Sequence, residues 1–438
     1  MLFLVQIALS LLIALVTVRR PQWGIAAVVV SAALLPFEVV RTLLGTSWHP
    51  ATTISIALLV VTLARDPRQV GRVLVRHTVV MPVLLVFFVV AIATSWFTGR
   101  AGDLGTLVLQ LIAPTMLFLV VRARSTDRPG LPGAVARALV LVAVGEALLV
   151  LGVWSGFVPQ PWLSTLEGLR WWTTDFDRML GTFDHPLVAA LWMSAAVPLT
   201  ATLGAAWARI ALPVLLVVAV ALTGSRFALL AAVLAVVVLI FRSRVGAVGK
   251  VAALGAAAIG LAIFLGSAAG SIVNDRLEDD GGSSSARFKT IGLAVEQWRE
   301  TAVIGRGFGA SEQVTRNALI GNTFENPFLM FSIDFGLVAA VLFFAALIGL
   351  VVARRAGPVP VPGARLAAAL TLLTLIGFNS LSTNTPIGLL LFLLLAIVPG
   401  ARARAGAGAG AGAERPEDHP VTALPTGTAP RSTVGVRR

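Results

Sequence analysis

Apolar residues fall into runs at about 1–18, 23–38, 50–64, 78–97, 103–121, 133–154, 186–204, 209–223, 227–241, 251–273, 327–352, 366–381 and 385–399. Most approach the roughly 20 residues a membrane helix needs, and most are joined by short polar segments. The pattern predicts an all-α polytopic membrane protein with about 12–13 transmembrane helices. The runs at 50–64 and the last pair are short, and that pair fits a re-entrant hairpin as well as two spans.

Composition agrees with this reading. Of 438 residues, 57% are hydrophobic and 13% are charged, and the mean hydropathy is +0.90. A soluble domain carries about twice that share of charge, so a soluble enzyme and a disordered chain are both excluded. With no Cys, disulfides and thiolate sites are ruled out, and the four His lack ligand spacing. No metal and no cofactor are expected.

The net charge of +13 follows a topology. Alternate connecting segments hold nineteen basic residues, against eleven in the other set. Short basic loops stay cytoplasmic, so the amino terminus is expected outside and the tail inside. Nucleic acid is not needed to explain the charge. The first run has no basic residues before it and Arg19-Arg20 after it, which reads as a retained span. Residues 1–400 are thus expected to form one transmembrane domain, and 401–438, Ala-Gly-rich, a disordered cytoplasmic tail.

Two extracytoplasmic loops are too long to be simple connectors: 155–185 and 274–326. The first carries Trp162, Trp171 and Trp172 among charged residues, a composition that also suits interfacial anchoring. In the second, Phe288, Ile291, Val295 and Trp298 recur at helical spacing, which predicts an amphipathic helix over 286–300 lying flat on the bilayer. Gly305 to Gly309 (GRGFG) then permits a tight turn, although no strand precedes it as a dinucleotide site requires.

The charges near the membrane divide between functional and structural readings. Arg226 stands in a short outer turn, against the positive-inside bias, and suits anion binding or simple snorkelling. Asp334 lies near the outer end of the run 327–352. Glu146, in mid-span, reads equally as a functional group or as a partner for a neighbouring helix. Glu325 and Asn326 stand where the long loop re-enters the membrane at Pro327. A carboxylate there is partly desolvated and able to accept a proton, or it is a polar helix start.

From Arg178 to Gly336 the polar set resembles the O-antigen ligase and Wzy polymerase superfamily. The residues that carry the resemblance are Arg178, Gly181-Thr182-Phe183-Asp184-His185-Pro186, Leu222-Thr223-Gly224-Ser225-Arg226, Arg287, Trp298, Gly305–Gly309, Glu325-Asn326-Pro327 and Asp334-Phe335-Gly336. It implies a GT-C-like fold in the bacterial cytoplasmic (inner) membrane, with a large outer loop and an outward-facing site. The implied donor is a polyprenyl-diphosphate-linked glycan, and the partner is a glycan or glycolipid acceptor. Arg226, Arg287 and Arg178 would bind the diphosphate, Glu325 would be the base, and Asn326, Asp334 and His185 would position groups. The family's ligases usually carry His where this chain has Glu325, so a substituted base or an altered site is implied.

Two other function classes fit the sequence. A secondary transporter or lipid-linked glycan flippase would need charges at mid-membrane, such as Glu146. A non-catalytic envelope-assembly scaffold would tolerate the replacement of His by Glu325.

Overall fold

The computed structural model describes residues 2–100, 104–169, 178–266, 280–318, 324–353, 360–377, 381 and 385–398. Among them every regular element is helical. The chain opens with α1 (Leu2–Val16), α2 (Pro21–Leu34), α3 (Phe37–Leu44), α4 (Pro50–Arg65), α5 (Pro67–Arg76) and α6 (Val80–Phe97). There follow α7 (Leu104–Asp127), α8 (Leu131–Trp154), α9 (Pro186–Thr202), α10 (Ala208–Leu222), α11 (Arg226–Arg242) and α12 (Ala247–Leu265). Next are α13 (Asp280–Thr301), α14 (Ala310–Asn317) and α15 (Pro327–Asp334), and last α16 (Leu337–Val352), α17 (Ala364–Gly377) and α18 (Ile387–Ile397).

Four of these, α1 (to Arg19), α6, α7 and α8, are long and apolar enough to cross a membrane, and α2 with α3 makes a fifth if their 89° bend is one broken span. Pro36 sets that corner, because the residue before a proline leaves the helical region. The remaining apolar helices are shorter.

The side chains are distributed as lipid requires. On α1 the buried positions are Gln6, Ser10 and Ala14, whereas Leu4, Val5, Leu12 and Val16 are exposed. Gln6 Nε2 donates to the Trp48 carbonyl at 2.8 Å, and Ser10 Oγ lies 2.8 Å from Thr53 Oγ1. Polar in and apolar out reverses the arrangement of a water-soluble helix, and it holds where the surroundings are hydrocarbon.

At the centre stands α18, with every residue buried. It packs on α7 and α17, while α8 packs on α2, α9 and α10. Close approach is built in at Gly388, where a Cβ would overlap the Gln110 carbonyl in the π-helical turn Val108–Ile112 of α7. Elsewhere α6, α15 and α16 meet through Phe87, Phe331, Phe335 and Phe343.

One expectation changes. The apolar run 327–352 is not one helix: α15 ends at Asp334 and α16 starts at Leu337, with Gly336 at φ 102 between them. The break frees the Ile333 and Asp334 carbonyls to accept the Arg306 and Gly307 N–H at 3.0 and 2.8 Å, and Val338 N–H donates to Ala302 at 3.1 Å. A continuous helix would consume those groups, so the glycine loop sets the interruption. The helix expected at 286–300 is present within α13, and it contacts the rest of the protein through a stripe of small side chains with Trp298. Thr290, Ala294 and Thr301 are buried and Trp298 is half-buried, while Phe288, Ile291 and Val295 are exposed. Small side chains allow the close approach to α15, leaving the larger apolar ones uncovered. The tail 401–438 lies outside the described residues.

Candidate functional site

The turn joining α10 to α11 is made by Thr223, Gly224 and Ser225. Gly224 adopts φ 66, a left-handed conformation that costs glycine nothing. Thr223 Oγ1 donates back to the Val220 carbonyl at 2.6 Å, and Arg226 follows as the first residue of α11. Onto this turn folds a segment 45 residues earlier. Met179 N–H donates to the Leu222 carbonyl at 3.1 Å, and Arg178 Nε donates to the Thr223 carbonyl at 2.8 Å. A Cβ on Gly224 would stand 3.1 Å from Arg178 Nε, so the guanidinium lies directly over the glycine. Arg178 and Arg226 are both half-buried. Two expected anion-binding arginines therefore share one turn.

The segment that delivers Arg178 is pinned further along. Thr182 N–H donates to Glu146 Oε2 at 2.9 Å, and Thr182 Oγ1 lies 2.6 Å from both Glu146 Oε1 and the Ala33 carbonyl. Gly181, at φ 64, passes so close to the Glu146 carboxyl that a Cβ would collide with it. Glu146 thus has an identified partner, the structural one of its two readings. Asp184, buried, accepts N–H bonds from Phe37 and Glu38 at the start of α3. Burial, and next the charge of Glu38, push its pKa up to about 7.

His185 begins α9 as its N-cap, Nδ1 accepting the Leu187 N–H at 3.2 Å. Burial, and next the charge of Arg178, push its pKa down to about 3. His185 is accordingly a neutral imidazole beside a guanidinium.

A second cluster surrounds the glycine loop. Asp334 is fully buried, with Oδ1 accepting the Ser311 N–H at 2.7 Å and Oδ2 the Gly309 N–H at 3.1 Å. These amides open α14, where a carboxylate is favoured by orphan N–H groups and the helix dipole. A Cβ at Gly305 would overlap the Asp334–Phe335 backbone. Phe308 N–H donates to Ser95 Oγ at 3.0 Å, and Arg100 pairs with the Gln313 side chain, tying the loop to the end of α6. Asn326 caps α15 through Oδ1, which accepts the Phe328 N–H at 2.8 Å. Glu325 precedes it, half-buried.

The two clusters have a common neighbour. Phe227, next to Arg226, packs on Gly377, and α15 packs on the same Leu375–Gly377 turn. Trp298 Nε1 donates to Ser332 Oγ at 2.7 Å, fixing α13 to α15. Arg287 lies on α13, and its side chain is outside the described residues, as are Arg170, Trp171, Trp172, Asp175 and Asp177. Among the described residues no three His, Asp or Glu side chains stand together as metal ligands. Sequence reasoning missed Ser95 on α6 and Arg100 just beyond its end, whose positions carried no local signal.

No protein-family model matches the chain, and no curated protein matches it either.

Proposed function

We propose that the chain is a membrane glycosyltransferase of the O-antigen ligase and polymerase kind. It would act on a polyprenyl-diphosphate-linked glycan at the outer face of the bacterial cytoplasmic membrane. The observation that carries the reading is the meeting of Arg178 with the Thr223–Arg226 turn: it places two guanidinium-bearing residues at one helix junction in an apolar protein. Guanidinium forks suit phosphate oxygens, which they hold by bidentate charge-assisted bonds.

In this reading the shorter helices complete 12–13 spans of a GT-C-like bundle, and 274–326 forms the large outer loop. Phe288, Ile291 and Val295 then face lipid beside the site. The acceptor hydroxyl gives its proton to the Glu325 carboxylate as its oxygen attacks the anomeric carbon. The bond from that carbon to the diphosphate breaks, and its electron pair leaves with the diphosphate oxygen. Arg226 and Arg178, with Arg287 from α13, offset the charge that develops there. Asn326 fixes the start of α15, Asp334 fixes the glycine loop, and neutral His185 flanks Arg178 without competing for its charge.

The transporter alternative rested on Glu146 in mid-span. Its bonds to Thr182 supply a structural reason for a carboxyl at that depth, so no specific observation favours transport. Deleting the gene and comparing surface polysaccharide tests the proposal. Shortened chains that remain attached indicate a polymerase, and free lipid-linked polymer indicates a ligase. Unaltered length and attachment would refute both.

A further inference from the structure

The end of the bundle remote from Arg226, where α4 and α7 terminate, carries a second arrangement of charge. Helix α5 lies across it, with Gln69, Val70 and Val73 buried. Val70 and Val73 pack on Ala123 of α7, flanked by Leu59 and Leu119, and Gln69 Nε2 donates to Asp127 Oδ2 at 2.5 Å. Along one edge of that docked face Arg68, Arg72 and Arg76 recur every fourth residue, all exposed, in a row spaced about 6 Å apart.

Little negative charge opposes the row. Segments 17–23, 64–79 and 121–137 together hold ten Arg and two acidic residues, Asp66 and Asp127. Each of those carboxylates already accepts a hydrogen bond, Asp66 from the Arg68 N–H at 3.1 Å and Asp127 from Gln69. Val75, three residues on from Arg72 and so next to it on the helix surface, is 72% exposed, and Val79, just past the end of α5, is 64% exposed. An occupant must therefore satisfy a cationic row and an apolar flank at once. Inorganic phosphate or a nucleic acid meets only the first need, and a neutral lipid only the second.

We propose that this face binds anionic phospholipid, the headgroup phosphates on Arg68, Arg72 and Arg76 and the acyl chains against Val75 and Val79. It makes α5 an interfacial helix, and it does not depend on the glycosyltransfer reading.

The test reconstitutes the full chain in vesicles of phosphatidylcholine mixed with phosphatidylglycerol, extracts it in neutral detergent and weighs the retained lipid by native mass spectrometry. The wild type is expected to retain phosphatidylglycerol selectively, and inorganic phosphate at matched ionic strength is expected to leave it bound. Each basic residue near an anionic surface is worth about a five-fold change. R72Q should therefore reduce the enrichment several-fold, and R68Q/R72Q/R76Q should reduce it at least ten-fold. R72Q alone suffices if the triple variant fails to fold. Undiminished enrichment in R72Q, or displacement of the lipid by inorganic phosphate, would overturn the proposal.

Discussion

Glu146 and Thr182 form a buried pair in which one hydroxyl proton faces two acceptors, the Glu146 Oε1 and the Ala33 carbonyl, each 2.6 Å away. Ala33 lies at the end of α2, and Thr182 is the donor that serves its carbonyl. Both contacts are satisfied when Thr182 donates to Ala33 and a protonated Glu146 donates to Thr182. Glu146→Gln keeps that pattern, its amide N–H donating and its oxygen accepting the Thr182 N–H. The Gln variant should unfold within about 1 kcal/mol of wild type. Glu146→Ala, which strands a buried N–H, should cost about 1–3 kcal/mol. Thermal unfolding in detergent checks this; equal losses in the two would show that the charged form is needed.

Asp184 and His185 should have opposite dependences on pH. With a folded pKa of about 7 against an ordinary 3.8, Asp184 stabilises fully below about 4, and its contribution disappears as pH rises through 7. His185, at about 3 against 6.5, stabilises above 6.5 and loses its contribution as pH falls toward 3. The two offset one another in the wild type. Asp184→Asn should therefore lose stability between pH 6.5 and 5, and His185→Asn, which can still cap α9, should gain it. Each slope approaches about 1.4 kcal/mol per pH unit, read from unfolding midpoints across pH.

Gly305 is required by contact rather than by conformation. A methyl group there meets the backbone of Asp334 and Phe335, whereas one at Gly292 on α13 meets nothing. Gly305→Ala should destabilise by about 1–3 kcal/mol. Gly292→Ala should be neutral, or should stabilise by about 0.5–1 kcal/mol through helix propensity. Unfolding curves of the two variants make the comparison.

In the proposed function Glu325 is the base, because it stands where the resembling ligases carry His, immediately before Asn326. A general base typically contributes about 10²–10⁴-fold, so Glu325→Gln should lower transfer by about that factor. Glu325→His should retain more activity than Glu325→Ala, as the family resemblance implies. Identical rates for His and Ala would remove Glu325 from that role.

Much of the helical framework was legible because apolar runs end where charge begins. Helix α8 is found at Leu131–Trp154 where the run covers 133–154, and α11 at Arg226–Arg242 where it covers 227–241. The break at Gly336 was not legible, because it depends on carbonyls claimed by a loop some thirty residues away. Nor was the docked face of α13, where Ala294 and Thr290 pack closer than the bulkier Phe288 and Ile291 could. Within the site, the motifs that carry the resemblance marked Arg178 and Arg226, but their meeting over Gly224 is a tertiary fact. The partner of Glu146 was equally hidden, since Thr182 lies 36 residues on, in a polar stretch with no helical period.

The central claim is that Arg226 and Arg178 offset charge on a departing diphosphate. It is tested most directly by glycan transfer from a polyprenyl-diphosphate donor, measured with purified wild type and Arg226→Ala in proteoliposomes at equal folded content. A hydrogen bond to a charged group is worth about 1.5–3 kcal/mol, so the rate should fall by roughly 10- to 150-fold while the protein inserts normally. An unchanged rate in Arg226→Ala, or no transfer by the wild type from any such donor, would contradict the account.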